Sequence, residues 1–587
     1  MDVSNRVIAE VLSEIGEYLE MRGVAFKPRA YEKASEAVSG LSEQVAEIYK
    51  SGGLKAIENI SGVGVSIGGK IEELLKTGKA KEHEELKKKT PVNLRELRGV
   101  EGLGPKSIKK LYENLKIKNL GSLEAAARAG KIRNLAGFGE KAEAKLLKGI
   151  EFLKKSGGRM SLGDALPLSR LIEERLRALP GAEKVIVAGS VRRRRETVGD
   201  IDILVISKKP KQIMDYFASM PEVTGILAKG ETKSSVRLDS GADADLRVVE
   251  GFSYGAALNY FTGSKDHNVA LRQIAMDKGC KLNEYGLYRG KKQIAGKSEE
   301  EIYKALGLDY VEPEMRENLG EIELALRQAS LGNTRDRQGK QPGLPKLINY
   351  GELKGDLQVQ TDWTDGSASI EEMAKAAIKE GLKYIAITDH TKRLAMTGGL
   401  DEKRLLKQMA EIDRLNKKFA GKIKILKGSE CDILKDGSMD ISDEVLAKLD
   451  VVGGSVHSYF GLSRKEQTAR VIRAMENKNV DIIFHPTGRV VQKREAIDLD
   501  MDAIIKTAKK TGTILEIDAY PSRLDLKDDY IKKCVEAGVK MSIDSDAHSP
   551  AHFEFLEYGI AQARRGWSEK KDIINAWPVD KMLGFLK

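Results

Sequence analysis

Between residues 384 and 548 one pattern returns again and again: a short apolar run that closes on His, Asp or Glu, then a longer amphipathic stretch. The runs are YIAITDH (384–390), IKILKGSECDI (423–433), LDVVGGSVHS (449–458), VDIIFHPTGR (480–489), TILEIDAY (513–520) and VKMSIDSDAH (539–548). Near-continuous apolar runs of this length fit strands buried on both faces, the parallel-sheet case. The segments 371–380, 401–419, 464–478 and 500–511 space their apolar residues as helices do. The alternation predicts an α/β barrel, whose reactive groups belong at the C-terminal ends of its strands. Asp389, His390, Glu430, His457, His485, Asp546 and His548 all fall at such ends. Of the 7 histidines in the chain, all but His83 and His267 lie beyond residue 384. Imidazoles and carboxylates gathered on one rim are the ligand types of a multinuclear metal site.

A chain of 587 residues is too long for one core and predicts roughly three to five domains. Hydrophobic content of 41% and charged content of 32% fit a globular protein, and no uncharged apolar run reaches membrane-spanning length. The opening MDVSNRVIAE has neither a basic n-region nor an apolar h-region. Cys280, Cys431 and Cys534 stand far apart, which fits a reducing cytoplasm and no disulfide framework. The net charge of +11 falls entirely before residue 351, so the first part predicts a polyanionic partner. ASLGNTRDRQGKQPGLPKL (329–347) is polar and rich in Gly and Pro, and reads as a linker.

The basic region repeats itself. ISGVGVSIGGKIEELL (60–75), VEGLGPKSIKKLYENL (100–115) and LAGFGEKAEAKLLKGI (135–150) each place Gly-apolar-Gly before an amphipathic helix. The pairs are Gly62/Gly64, Gly102/Gly104 and Gly137/Gly139, with Lys106 and Lys141 just inside two of the helices. Glycine allows the tight turn, and the helix start offers free N–H groups to an anion. The unit resembles the helix-hairpin-helix motif, which implies a grip on DNA phosphates without sequence readout.

TVGDIDILVI (197–206) sets Asp200 and Asp202 one residue apart in an apolar strand, so both carboxylates share a face. Such a pair is costly without a cation between them, and Mg²⁺ held by carboxylates and substrate phosphates is the candidate. Upstream, VIVAGSVRRRRE (185–196) supplies Gly189-Ser190 to hold a phosphate and arginines to clamp it. Asp245 begins another apolar strand. Three carboxylates, a Gly-Ser turn and an arginine are the parts of a two-metal phosphoryl-transfer site.

The GS-x-R-R…G-D-x-D pattern, followed by YFTGSKDHNVALRQIAMDKGCKLNEYGLY (260–288), resembles DNA polymerase family X, the group of polymerase beta. The resemblance covers residues 1 to about 320. It implies that Asp200, Asp202 and Asp245 hold two Mg²⁺ or Mn²⁺ ions, with Asp245 accepting the primer 3′-hydroxyl proton. Ser190, Arg193, Gly199, Gly189 and Arg159 would hold the incoming triphosphate, and Tyr260, Phe261 and Gly263 would border the nucleotide. Asn268 and Arg272 would face the nascent base pair. Val198 stands where the family has a serine. The N-terminal segment, carried by FKPRAYEKA (26–34) and GVGVSIGGKIEELLKTGK (62–79), resembles the family's small lyase domain. Lys70 aligns with the Schiff-base lysine and Lys27 and Tyr31 with supporting residues, while Ser66 and Glu82 replace two lysines of that pocket.

Residues 350–575 resemble the PHP (polymerase and histidinol phosphatase) domain, a distorted barrel with a trinuclear metal site. The two halves together look like the bacterial and archaeal PolX architecture. The resemblance implies a second ion on Glu430, His457 and His485 and a third on Asp365, His390 and His548. The family's Asp-Leu-His-x-His opening is altered: GDLQVQTDWTDG (355–366) has Gln358 and Gln360, which leaves the first ion to Glu430 and Asp546. An amide oxygen is a weak ligand beside an imidazole.

The expected organisation is multidomain. A helical lyase-like and DNA-binding domain spans 1–88, a helix-hairpin-helix domain 89–157 and an α+β nucleotidyltransferase palm with its base-pair subdomain 158–320. A linker (321–350) leads to a distorted α/β barrel (351–587). The expected function is a cytoplasmic, monomeric, template-directed DNA polymerase that fills short gaps in base excision repair, with gapped or nicked duplex and deoxynucleoside triphosphates as partners and no membrane. Lys70 leaves a 5′-deoxyribose phosphate lyase open. The barrel is expected to hold Mn²⁺ or Zn²⁺, fewer than three ions, and to have weakened 3′–5′ exonuclease and abasic endonuclease activity. The alternative is a nuclease to which the first half delivers DNA.

Overall fold

The computed structural model describes residues 3, 5–39, 41, 43–60, 62–100, 102–155, 158–326 and 343–586. Most of the expected linker, 327–342, lies outside them. Its described flanks are packed: Glu321–Ala325 is helical, and Leu347 and Ile348 are buried in two different cores.

The N-terminal region is helical. The first glycine of each repeated pair has positive φ, +78° at Gly62, +81° at Gly102 and +83° at Gly137. L side chains disfavour that conformation, which is why glycine recurs there. The residue between the glycines turns inward in the first two pairs, with Val63 and Leu103 buried. Phe138, its counterpart in the third, is only half-buried. Gly64 and Gly104 then cap helices Val65–Thr77 and Pro105–Leu115 in matching extended geometry. Gly139 stands in the same place before Glu140–Lys155, its carbonyl accepting from the Glu143 N–H at 3.0 Å. The second glycine of each pair is not required by the fold, because a Cβ on Gly64, Gly104 or Gly139 would meet nothing within 4 Å. The second and third hairpins face each other: Lys110 Nζ donates to the Ala136 carbonyl, and a Cβ on Gly102 would lie 3.8 Å from Lys145.

A five-stranded sheet follows, in the order Ala182–Val187, Asp200–Ser207, Asp243–Val249, Lys233–Leu238, Val223–Lys229. The period-2 expectation holds along the aspartate strand. Ile201, Ile203 and Val205 point into the main core of the sheet. Leu204, on the aspartate face, packs with Tyr254 and Leu258 of the next helix, Tyr254–Thr262. The aspartate strand runs parallel to Asp243–Val249, with Asp202 opposite Asp245.

The C-terminal unit is a parallel, consecutively ordered seven-stranded sheet: Gly355–Val359, Tyr384–Ile387, Lys424–Asp432, Val451–Ser455, Ile482–Ile483, Ile514–Asp518 and Met541–Asp544. A bridge between Val359 and Ala547 nearly closes it into a barrel. The six expected strands are present. The seventh, Gly355–Val359, carries Gln358 and completes the ring. Barrel and sheet domain share packing, because Leu524 and Tyr558 are buried in the sheet domain's core. Among the described residues no helix is long and apolar enough to cross a membrane.

Candidate active sites

Asp200 and Asp202 share one face of their strand, and the parallel register sets Asp245 beside Asp202. Asp243, which the sequence reading passed over, shares that face and is paired with Arg237. Burial, then Asp200 and Asp245, pushes the Asp202 carboxyl up to about 7. Burial and Asp245 raise Asp200 as well. Carboxylates held together against their own repulsion are the donor set that divalent cations relieve, so these residues fit metal ions. Lys233 Nζ lies 3.4 Å from Asp245 Oδ2.

The strand Ala182–Val187 ends at Ala188, whose N–H donates to the Asp202 carbonyl at 2.8 Å. The chain then turns at Gly189 with φ +62°, where any Cβ would collide with the Asp202 carboxylate. Ser190 follows in the same turn. Arg159 lies along the edge of the site: its Nε donates to Thr197 Oγ1 at 3.0 Å, and a Cβ on Gly199 would come within 3.1 Å of its guanidinium. Arg193 is turned away from an open approach. It donates to the Thr262 carbonyl and, at 3.1 Å, to Glu317, tying the turn to the segment that carries Gly263.

Tyr260 and Phe261 meet edge to face with ring centroids 5.1 Å apart, and the Arg247 guanidinium lies 4.5 Å from the Phe261 ring. Tyr260 is exposed. Asn268 is buried and spends its amide on the Tyr260 carbonyl at 2.7 Å, so in this structure it supports the tyrosine from behind. Arg272 is half-buried on the same helix, Lys265–Asp277.

In the helical region Lys27, Lys106 and Lys141 are exposed, as a DNA contact needs. The third hairpin differs from the second at Gly139. Gly139 is exposed, but the helix it opens begins with Glu140 and carries Glu143 in the same turn, whereas the second hairpin has no acidic residue there. A carboxylate at a helix start already meets the positive end of the dipole and repels a phosphate. Arg133, 3.2 Å from Glu140 and paired with buried Glu143, is drawn to these acids. An anion at Gly137 and Gly139 would meet exposed Glu140 in the first turn, a charge that the turns after Gly64 and Gly104 lack.

Tyr31, expected beside the lyase lysine, is buried and donates to Glu82 Oε2 at 3.2 Å. Lys70 Nζ lies 3.0 Å from the same carboxylate oxygen and 3.3 Å from Ser66 Oγ. Burial works to lower the Lys70 amine, but Glu82 and Tyr31 outweigh it and hold the amine above the ordinary lysine range. The two residues that replace lysines of the family pocket are thus the direct neighbours of Lys70.

At the barrel rim, ligand atoms of Asp365, His390 and His548 lie within 4.8 Å of one another, and so do those of His390, Glu430 and His457. The first trio is the third ion's expected set. In the second, His390 stands closer than expected, while His485 Nε2 also reaches Glu430 Oε1 at 2.8 Å. His390 therefore faces both groups. Burial opposes the charge on His457, yet Glu430 and Asp432 raise its ring to about 9. Imidazoles converging on one buried carboxylate, with Asp365 Oδ1 buried and without a hydrogen bond, suit two cations here. Asp389 does not join them. It is buried beneath the rim and accepts from Thr361, Thr364 and Gln408, so it shapes the loop after the first strand.

The position left to Gln358, Gln360, Glu430 and Asp546 is different. Gln360 Nε2 donates to Glu430 Oε2 at 2.9 Å. The Gln358 amide, with its nitrogen inward, donates to Glu516 at 2.6 Å. Arg523 Nε lies 3.6 Å from Asp546 Oδ2 and 3.4 Å from Asp518 Oδ2. With amide donors and a guanidinium on its carboxylates, this position does not fit the first ion. Glu516, Asp518 and Arg523 were not singled out from sequence, although EID (516–518) is an unusual acidic pair for a buried strand.

Residues 3–80 match a helix-hairpin-helix domain, residues 257–317 a DNA polymerase beta thumb and residues 356–520 a PHP domain. The chain is 37% identical over 585 residues, 99% of both chains, to the DNA polymerase/3′-5′ exonuclease PolX of Bacillus subtilis (strain 168). Its barrel is similar to probable phosphatases. One from Thermoanaerobacter sp. (strain X514) is 32% identical over 191 residues, 31% of this chain and 73% of that protein. One from Syntrophotalea carbinolica is 28% identical over 218 residues, 36% of this chain and 81% of that protein.

Proposed function

Because this chain belongs to the PolX family of DNA polymerases, we propose that it is a template-directed polymerase filling short gaps in base excision repair, with a 3′–5′ nuclease weakened at one metal position of its barrel. The observation that carries the polymerase reading is the convergence of Asp200, Asp202 and Asp245 beside the Gly189 turn. When bound, two divalent ions would acidify the primer 3′-hydroxyl and neutralise the triphosphate. Asp200, Asp202 and Asp245 would hold them, and Asp245 would also receive the hydroxyl proton. The backbone N–H groups at Gly189 and Ser190 and the Arg159 guanidinium would orient the phosphates. Tyr260, braced by Asn268, would border the sugar. The hairpins would hold the duplex through its phosphates, which suits gap filling because it asks nothing of the sequence.

The barrel's two ligand groups support phosphodiester cleavage, in keeping with the exonuclease named in the Bacillus relative. Gln358 and Gln360 support a slower rate, since an ion at that position would lack imidazole ligands. The lyase reading is disfavoured by the Lys70–Glu82 pair, because the nucleophile is the neutral amine.

The test is extension of a 5′-labelled primer on a one-nucleotide-gapped duplex with Mg²⁺ or Mn²⁺, with and without the complementary nucleotide. Extension by one nucleotide that vanishes in Asp202→Ala is the expected result. Extension unchanged by Asp202→Ala would refute the site. Shortening without nucleotide reads the barrel.

A further inference from the structure

The first metal position of the barrel is furnished with positive and donor groups of the protein itself. Gln360 gives its N–H to Glu430 at 2.9 Å, so the carboxylate oxygen that an ion would take already has a hydrogen-bond donor. The Gln358 amide is spent on Glu516. The Arg523 guanidinium faces Asp546 at 3.6 Å and Asp518 at 3.4 Å. Buried carboxylates need compensation from somewhere.

Arg523 is not a loose surface side chain. Its own N–H donates to the Tyr520 carbonyl at 2.7 Å. The next residue, Leu524, is fully buried in the sheet domain's core. Asp525 accepts from the Thr487 N–H at 3.0 Å and its hydroxyl at 2.9 Å. The chain is thus anchored after the arginine, and the guanidinium is delivered to the rim by a rigid loop. A planar cation with five donors suits two carboxylates in a confined space.

We propose that Arg523, with the Gln360 amide, takes the place of the ion at the first position, so that this barrel binds two metal ions and carries its third positive charge as a fixed guanidinium. The proposal rests on reading the rim as a family metal site, and it deepens that reading by naming what compensates Glu430 and Asp546.

The test counts metal on the full-length chain carrying Asp200→Ala, Asp202→Ala and Asp245→Ala, which removes the three polymerase carboxylates from the count. The protein is loaded with Mn²⁺ or Zn²⁺, desalted and measured by plasma mass spectrometry. Two ions per chain are expected. Gln358→His with Gln360→His should still hold two tightly, a third binding at least about tenfold more weakly beside the retained cation. Adding Arg523→Gln to that pair should produce three. Three tight ions in the parent overturn the proposal. So do three in the histidine pair with Arg523 kept, or only two in the triple variant. If Arg523→Gln does not fold, Arg523→Lys should fold and hold two ions; three there also overturn it. Cleavage of labelled single-stranded DNA is scored separately. Two ions with cleavage as fast as in the triple variant would refute the weakened nuclease and leave Arg523 as the substitute cation.

Discussion

Replacing Glu82 by glutamine should increase Schiff-base formation at Lys70. The Lys70–Glu82 pair is 3.0 Å long, with side chains 20% and 36% exposed. The gross attraction at that distance is about 5 kcal/mol at an effective dielectric of 20. Solvent reaches both groups, and measured exposed pairs are worth only about 0.2–1 kcal/mol, so about 0.5–1 kcal/mol is the expected loss for this half-sheltered pair. That energy raises the neutral amine fraction at pH 7.5 about two- to fivefold. Glu82→Lys replaces attraction with repulsion and should extend the gain to about tenfold. The assay is borohydride trapping on a 5′-deoxyribose phosphate duplex under single-turnover conditions, with Lys70→Ala as the blank. An unchanged or slower Lys70-dependent rate in Glu82→Gln would refute the argument that this carboxylate holds the amine protonated. The stability effect has a defined sign. The Lys70 amine is raised in the folded state, so the pair's contribution is fully present below the ordinary lysine range and is lost as pH rises through the folded value. Glu82→Gln should therefore lower stability by less than about 1 kcal/mol at neutral pH and by nothing in strong alkali.

Other outcomes follow from the same geometry. Asp202 is pushed from 3.8 up to about 7, so its ionisation destabilises the metal-free fold progressively as pH rises from about 4 through 7. In EDTA at pH 8, Asp202→Asn should stabilise the sheet domain by about 2–4 kcal/mol; near pH 4, or with excess Mg²⁺, thermal melts should show most of that gain gone. Gly189→Ala should abolish primer extension while circular dichroism stays unchanged, since the new Cβ meets the Asp202 carboxylate. Gly102→Ala should cost about 1–2 kcal/mol at φ +81° and weaken duplex binding by fluorescence anisotropy. Lys106→Gln should reduce the salt slope of that binding by about 1 without altering sequence preference, and Lys141→Gln, beside Glu140, should reduce it by less.

Where a local rule of backbone geometry governs, the amino-acid sequence is informative by itself. Alternation on the aspartate strand placed Asp200 and Asp202 on one face, because successive strand side chains point to opposite sides. The repeated Gly-apolar-Gly units declared their turns, because only glycine takes φ near +80° without strain. The repeat overstated the likeness of its third copy: Gly139 occupies the same place as Gly64 and Gly104, but the acidic turn after it changes what the helix start can hold. Strand ends rich in His, Asp and Glu located the barrel rim, and the glutamines at 358 and 360 announced its altered corner. Packing between distant segments decided the rest. Asp389 ends a strand like its neighbours do, yet three donors from elsewhere draw it beneath the rim. His390 serves two ligand groups because the neighbouring strand brings Glu430 on one side and the loop after the first strand brings Asp365 on the other. Nothing local marks Arg523 as a partner of Asp546, 23 residues away. Its position depends on Leu524 being buried in another domain, a long-range contact that no periodicity encodes.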